Sequence, residues 1–223
     1  MEFDYSVCKD VAVTTLESER IYHTPDGDFP SVTTILRATD DDSWLAAWRN
    51  RVGETEAECI RRETARRGTL IHSYLERAWN GEDISDELLG RSHEIRTMTL
   101  GLLKVMSENV TSTYMQELIV WNKDMGYAGR LDLIGEWNGV PAVLEFKTSN
   151  RKKYGRAAEK CSLQATAYAL AHNTLFGTDI ETIVTLVSIV HGEVQIIEEY
   201  TENFDGVLAE RVGEYHQLLD DSI

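Results

Sequence analysis

The amino-acid sequence predicts an α/β (α+β) fold in which helices flank a central mixed β-sheet and an N-terminal helical lobe precedes it. The first observation is the stretch at 126–148, where two apolar, β-rich runs flank an Asn-Gly dipeptide at 138–139. Asn-Gly between such runs is the strongest short signal for a two-residue type I′ hairpin. Both runs are apolar on both faces, which is typical of a buried central strand pair. The second observation is that a helical segment at 156–176 separates this hairpin from two further β-rich runs at 181–190 and 193–200.

Local signals place the remaining elements. Ser and Asp side chains mark helix starts because they satisfy free N–H groups of the first turn, and Gly marks helix ends and turns. The predicted elements before residue 55 are a hairpin in residues 10–24, a turn at 24–27, a short helix capped by Ser31, and a helix from Asp42 to Arg51 that is capped by Asp42 and stops at Gly53. A helix at 55–79, interrupted or kinked near Gly68, and a helical stretch capped by Ser85 and running through about Asn109 follow. The remaining predicted elements are a strand at 111–122 and a final amphipathic helix at 203–220.

Length and composition suit one domain. The chain has 223 residues and a hydrophobic content of 42%, which is enough for a real core. We therefore expect a single domain over 1–223, with a helical lobe at about 31–109, a core at about 111–200 and a C-terminal helix at 203–220. No apolar stretch is long enough to span a membrane, and the N-terminal residues contain no signal-peptide pattern. The three cysteines are widely spaced and indicate buried thiols in a reducing compartment, so we expect a cytoplasmic protein.

Charged side chains gather at the open end of the predicted hairpin. With residues 138–139 as the turn, Asp132 falls opposite Glu145 in a non-hydrogen-bonded pair, where side chains come closest. The two-residue period of a strand places Lys147 on the same face as Glu145. Two buried carboxylates with β-carbons roughly 5 Å apart repel each other, and a divalent cation such as Mg²⁺ removes the conflict. The alternative is an ordinary hairpin whose exposed Asp, Glu and Lys form a surface ion pair.

Other signals leave two interpretations open. The formal net charge of −16 argues against nucleic-acid binding, since such proteins usually carry a basic patch. Two basic clusters, RRETARR at 61–67 and RKKYGR at 151–156, are either phosphate-binding tracks or solvated faces. Trp44 and Trp48 lie four residues apart on one helical face and form either core packing or a base-stacking platform. A lone helical histidine, His72, is either a metal ligand or an ordinary core or surface residue.

The charged residues of the hairpin carry a family resemblance. Asp132, followed by Glu145-Phe146-Lys147, resembles the catalytic signature of the PD-(D/E)XK nuclease superfamily. The sequence departs from the named signature at Leu131, which stands where that signature has proline.

The order of further motifs resembles the RecB-like branch of this superfamily. A GTxxH-like element ending at His72 precedes the hairpin, and Gln164-x-x-x-Tyr168 follows it. The opening PSVT at 30–33, with tryptophans nearby, is similar to the mitochondrial genome maintenance exonucleases and their phage relatives. The resemblance covers roughly residues 20–200 and implies a restriction-endonuclease-like core in a stand-alone nuclease without a helicase.

The resemblance also implies an activity and a set of site residues. The implied enzyme is a Mg²⁺- or Mn²⁺-dependent hydrolase with one or two ions, a single-stranded DNA exonuclease of replication, recombination or repair, located in the host cytoplasm if phage-encoded. Helices at 42–80 would form an arch under which the strand threads. The implied roles are metal ligation by Asp132, Glu145, the Phe146 carbonyl and His72, water orientation or charge stabilisation by Lys147, and nucleotide contact by Gln164 and Tyr168.

Three further expectations follow from the same resemblance. Several RecB-like relatives hold an iron–sulfur cluster, but this sequence has no cysteine after Cys161, so we expect no such cluster. A structure-specific or restriction-type endonuclease with the same core remains an alternative. A catalytically inactive nucleic-acid-binding module is a second alternative, which the presence of Asp132, Glu145 and Lys147 together disfavours.

Overall fold

The computed structural model describes residues 3–16, 19–41 and 43–221. Within these ranges the chain forms two β-sheets, seven α-helices and two short 3-10 helices at Ser6–Cys8 and Thr201–Asn203. The strands are β1 (Ala12–Leu16), β2 (Glu19–Thr24), β3 (Gly27–Pro30), β4 (Val110–Asn122), β5 (Tyr127–Trp137), β6 (Val140–Ser149), β7 (Thr182–Ile189) and β8 (Val194–Tyr200). The helices are α1 (Val32–Ala38), α2 (Ser43–Val52), α3 (Glu54–Trp79), α4 (Ser85–Leu89), α5 (His93–Asn109), α6 (Arg156–Phe176) and α7 (Asp205–Asp220).

The central sheet has the mixed topology that the sequence predicts. Its strand order is β4-β5-β6-β7-β8. The first three strands are antiparallel neighbours, β6 and β7 are parallel because α6 carries the chain back across the sheet, and β8 returns antiparallel to β7. A second, antiparallel sheet of β1-β2-β3 precedes α1. The α/β (α+β) fold class is therefore confirmed, and β3 adds a strand to the predicted N-terminal hairpin.

The helices cover both faces of the central sheet. One buried cluster packs α6 and α7 against residues such as Ile134 and Val143. The other packs α3 and α5 against the opposite face, through residues such as Leu133 and Leu144. This double coverage explains why both strands of the central hairpin are apolar on both faces. None of the helices within the described ranges is long and apolar enough to cross a membrane.

Two predicted features of the helical region are wrong. The predicted interruption at Gly68 is absent, since α3 is one continuous helix of 26 residues. A glycine inside a helix costs only about 1 kcal/mol relative to alanine, which the packing of a long helix offsets. The stretch after residue 84 is two helices rather than one, since α5 begins anew where Ser92 accepts a hydrogen bond from the Ile95 N–H at 3.4 Å. Ser85 is the first residue of α4 rather than its cap.

The other helix predictions agree with the structure. Ser31 caps α1, since its Oγ accepts a hydrogen bond from the Thr34 N–H at 3.1 Å. The predicted helix ending before Gly53 is α2. The proposed cap Asp42 and the side chain of Trp44 lie outside the described residues.

The hairpin turn has the predicted geometry and sets the strand register. Asn138 and Gly139 have φ values of 51° and 83°, the left-handed conformation that both central residues of a type I′ turn require. The predicted register is confirmed as far as the pair Leu133–Leu144. Beyond that pair β5 stays paired only with β4 and β6 only with β7, so the two strands separate. We call this opening, between Asp132 on β5 and residues 145–147 on β6, the fork.

Candidate metal centre at the fork

Asp132 lies in the fork, and its side chain takes the place of a backbone acceptor for the Phe146 N–H. Its Oδ2 accepts a hydrogen bond from the Phe146 N–H at 2.6 Å. Asp132 therefore does not form the predicted backbone-level pair with Glu145; its side chain instead satisfies an N–H group that the separating strands leave free. The other oxygen, Oδ1, lies 3.1 Å from Nδ1 of His72, which α3 brings to the fork. The His72 ring also packs edge-on against the Phe146 ring, with centroids 6.1 Å apart.

Glu145 is buried and has one free oxygen. Its Oε1 accepts hydrogen bonds from Nζ of Lys147 and from Nε2 of Gln164, both at 2.6 Å. Its Oε2 is buried and has no hydrogen-bond partner in the part of the chain that the structure describes. A buried carboxylate oxygen without a donor is costly unless a cation or a water molecule satisfies it.

Gln164 and Tyr168 lie behind the charged pair on α6. Oε1 of Gln164 accepts a hydrogen bond from Lys147 Nζ at 2.9 Å, and its Nε2 also donates to the Tyr168 hydroxyl at 2.9 Å. Tyr168 is 3% exposed. A β-carbon at Gly129 would lie 2.4 Å from the Tyr168 ring, so only glycine lets this ring lie against β5. In this arrangement Gln164 and Tyr168 position Glu145 and Lys147, and the predicted nucleotide contact stays a prediction.

Glu117 is a site residue that the sequence analysis missed. It lies on β4 between Gln116 and Leu118, which pair with Leu133 and Leu131. Glu117 therefore lies beside Asp132 on the neighbouring strand. Its φ of 51° is rare for a non-glycine residue inside a strand and costs about 1–3 kcal/mol, and such strain concentrates at functional sites. A signal existed, since Glu117 is the sole charged residue in the sequence of β4.

Three of these side chains can converge on one ion. One ligand atom from each of His72, Glu117 and Asp132 lies within 4.8 Å of the others. Glu145 is not part of this group, but it lines the same cavity and has a buried Oε2 without a hydrogen-bond partner in the described chain. The donor set is rich in carboxylate oxygen, which suits Mg²⁺ and Mn²⁺, with one imidazole. These residues therefore fit a divalent cation.

The charges in the fork shift one another's pKa values. Burial and the nearby Asp132 charge raise the pKa of Glu145 to about 7, against the opposing effect of Lys147. Burial and Asp132 likewise raise the pKa of Glu117 to about 7. Burial lowers the pKa of His72, but the charge and hydrogen bond of Asp132 outweigh it and raise that pKa to about 9. The excess of carboxylates is thus incompletely neutralised by the protein itself, which is the condition that a bound cation relieves.

Lys147 stays charged in this environment. Burial lowers its pKa, but Glu145 and Asp132 outweigh burial, and the net shift is upward. The ammonium group is therefore held at the fork as a fixed positive charge, 2.6 Å from Glu145.

All seven residues that the sequence analysis selected line one cavity of about 640 Å³. The cavity lies between α3, the fork and the start of α1, and its wall also contains Glu117, Arg20 and Arg130. The selected residues are His72, Asp132, Glu145, Phe146, Lys147, Gln164 and Tyr168. The structure thus brings together groups that lie up to about a hundred residues apart in the sequence.

Most of the basic side chains in the two clusters form ion pairs with acidic residues. Arg61 and Arg62 both pair with Glu58, and Arg67 pairs with Glu94, so these three are partly neutralised. In the second cluster Lys152 pairs with Glu193 and Arg156 with Asp41. These pairs favour the interpretation of solvated faces for most of both clusters.

Comparisons with known proteins do not assign a family. No protein-family model matches this chain, and no curated protein matches it. Among solved structures, SSO0001 is similar at a TM-score of 0.44 and 16% identity, over 84% of this chain and 75% of that one. A candidate exonuclease from Eubacterium rectale is similar at a TM-score of 0.47 and 11% identity, over 70% of this chain and 69% of that one. Similarity at this level does not carry a function from those proteins to this chain.

Proposed function

We propose that this protein is a metal-dependent nuclease that hydrolyses phosphodiester bonds. The observation that carries the proposal is the fork, where His72, Glu117, Asp132 and Glu145 surround one cavity beside the half-buried ammonium of Lys147. The resemblance to the PD-(D/E)XK signature implies the same chemistry from the sequence. An accidental surface ion pair does not account for a buried, unpartnered Glu145 oxygen.

The metal would be held by His72, Glu117 and Asp132, with the free oxygen of Glu145 and the Phe146 carbonyl as further ligands. When bound, Mg²⁺ or Mn²⁺ activates a water molecule for attack and neutralises charge on the phosphate. His72 must be neutral to bind a cation, so ligation would require the protonated ring to give up one of its two protons.

Lys147 would act on the developing charge of the phosphate. Its ammonium is oriented by two acceptors, Glu145 Oε1 and Gln164 Oε1, which fixes its position before substrate arrives. A preorganised charge of this kind stabilises the transition state without reorganisation during the reaction. Gln164, itself held by Tyr168, maintains this geometry from the α6 side.

The substrate would be a single DNA strand, attacked from an end. A cavity of about 640 Å³ has room for one or a few nucleotides, which favours a single strand. Arg20 and Arg130 in its wall supply positive charge for phosphates, although the chain as a whole carries −16. A role in DNA replication, recombination or repair follows from this activity as part of the proposal.

Digestion of end-labelled oligonucleotides tests the proposal. We expect single-stranded DNA labelled at either end to be degraded with Mg²⁺ or Mn²⁺, and excess chelator to abolish degradation. Lys147→Ala, purified in parallel, excludes a contaminating nuclease. Cleavage that persists in chelator would contradict the metal-dependent mechanism.

Circular single-stranded DNA separates the two nuclease classes. An exonuclease leaves it intact, whereas a structure-specific or restriction-type endonuclease with the same core linearises it. Binding of DNA without any cleavage, with each metal, would favour the inactive binding module.

A further inference from the structure

A second polar surface lies on α3 beside the cavity at the fork. It is a groove of about 500 Å³ between α3 and the α4–α5 connection, which we call the α3 groove. Its lining comprises Arg66, Thr69, Leu70, Ser73 and Arg91. Four of these five side chains carry hydrogen-bond donors, and no described acidic residue lines the groove. In a protein of net charge −16, such a surface is unusual and suits a phosphate group.

The α3 groove is continuous with the cavity at the fork. Thr69 and Ser73 line both of them. Arg66, three and seven residues before these hydroxyls, falls on the same face of the helix. Along the helix axis Arg66 is about 9 Å from His72, at a rise of 1.5 Å per residue. A chain of phosphates that leaves the fork over Thr69 and Ser73 therefore meets Arg66 next.

The two arginines of the groove are available to a ligand. The guanidinium of Arg66 is exposed and makes no ion pair or hydrogen bond with the described part of the chain, unlike Arg61, Arg62 and Arg67. Arg91 uses its Nε to donate to the Tyr74 hydroxyl at 2.8 Å, and its guanidinium lies 5.9 Å from the Tyr74 ring centroid. Because Tyr74 is buried, this hydrogen bond and the ring contact hold the Arg91 side chain at the wall of the groove.

An adjoining cavity of about 540 Å³ continues this surface and shares Arg66, Leu70 and Arg91 with the groove. It also contains two acidic residues, Glu63 and Glu94. Glu94 is neutralised by Arg67, which also donates to Asn150 at 2.9 Å and so ties α3 to α5 and to the end of β6. With Arg67 and Glu94 paired, the remaining charges of this surface are the two positive charges of Arg66 and Arg91 and the one negative charge of Glu63.

We propose that the α3 groove binds the phosphate backbone of the same single strand that the fork cleaves, at nucleotides beyond the scissile bond. This inference rests on the proposed function and adds to it a substrate-binding site that lies outside the cavity of the fork. Phosphate contacts of this kind are independent of base sequence and fix the position of the strand.

Fluorescence anisotropy with a labelled single-stranded oligonucleotide in chelator, where hydrolysis is blocked, tests the groove directly. Arg66→Ala should weaken binding about tenfold, as expected for the loss of one charge-assisted contact. It should also reduce the slope of log affinity against log salt by about 0.7. Arg66→Glu should weaken binding further. Arg91→Gln should act in the same direction, with its melting temperature measured because Arg91 contacts buried Tyr74.

Arg61→Ala and Arg61→Glu are the matched controls. Arg61 lies on the same helix, is 65% exposed and pairs with Glu58, but does not line the groove or the fork. We expect these variants to bind with wild-type affinity and salt dependence. Equal binding by the Arg66 and Arg61 variants would overturn the proposal.

The outcome for the groove is distinguishable from the outcome for the proposed function. A wild-type protein that binds through Arg66 but never cleaves with Mg²⁺ or Mn²⁺ would refute the nuclease and support the groove. A wild-type protein that cleaves, with an Arg66→Ala variant that binds normally, would refute only the groove.

Discussion

Replacing Glu117 with glutamine distinguishes a metal ligand from a structural carboxylate, because the two roles predict opposite changes in the melting temperature without metal. Glu117 has an ordinary pKa of 4.5, and burial with Asp132 and Glu76 raises it to about 7 in the folded protein. Above about pH 7 the folded protein therefore carries a carboxylate that it disfavours. A shift of this size corresponds to about 3 kcal/mol. Because the side chain is 27% exposed, solvent screening reduces the usable figure to about 1–2 kcal/mol.

The sign of the pH dependence follows from the raised folded-state pKa of an acid. Below about pH 4.5 the carboxyl is protonated in both states and contributes nothing. Between about 4.5 and 7 the folded state binds more protons, so rising pH destabilises it, and the cost is complete above 7. Glu117→Gln removes this cost. In chelator at about pH 8 we expect the variant to melt about 2–8 °C above the wild type, and at about pH 4.5 we expect no difference.

Addition of metal should make the wild type more stable than Glu117→Gln. Mn²⁺ or Mg²⁺ should stabilise the wild type, because binding to the folded state alone raises its unfolding free energy. The variant lacks one ligand, so we expect its metal affinity to fall about 10–100-fold, which reduces the stabilisation by about 1–3 kcal/mol at the same metal concentration. Cleavage should fall with it.

Differential scanning fluorimetry with and without metal measures both effects, and Glu108→Gln is the matched control. Glu108 is an exposed residue of α5 that does not line the cavity, so its variant should keep the wild-type melting behaviour in both buffers. If Glu117→Gln were less stable in chelator and kept the full response to metal, Glu117 would be a structural partner of Arg130, 3.8 Å away, and the reasoning would fail.

Three further changes test two other groups at the fork and one buried histidine outside it. Lys147→Ala should reduce cleavage by about 10²-fold or more while retaining the stabilisation by metal. Lys147→Arg should not restore activity, because a planar guanidinium does not replace the compact charge of an ammonium group. A fluorimetric metal titration beside the digest checks both variants. Gln164→Ala should lower cleavage by about tenfold, because Lys147 and Glu145 lose a shared partner, and near wild-type turnover would show that Gln164 does not position them. Burial lowers the pKa of His172 to about 4 from 6.5, so its contribution to stability is present above about 6.5 and is lost as pH falls towards 4. Between about pH 7 and pH 5 denaturant titrations should show the wild type losing about 2 kcal/mol more than His172→Gln, and parallel losses would contradict this.

The features that depend on neighbours in the sequence were predictable. The Asn138-Gly139 turn requires positive φ at both residues, and that local requirement set the register as far as Leu133–Leu144. The two-residue period of the strand then placed Glu145 and Lys147 together, and their contact at 2.6 Å follows from it. The four-residue spacing of Gln164 and Tyr168 on α6 likewise put them in contact.

Local signals failed where packing outweighed them. Gly68 predicts a weak point in a helix, but the packing of α3 against the sheet and α5 maintains the helix through it. The break between α4 and α5 was missed because helical periodicity continues across it, whereas the cap at Ser92 restarts the helix.

The sequence by itself indicated which residue types gather at the candidate site, apart from Glu117, because residue types and short spacings are local properties of the chain. Only the tertiary structure decided which groups meet. His72 reaches Asp132 because α3 packs over the fork, sixty residues away in sequence. Glu117 joins them because the register of β4, with its irregular pairings, carries it to the level of Asp132. The fork itself opens because β5 stays with β4 while β6 follows β7, and backbone pairing between strands is settled by the whole sheet rather than by one hairpin.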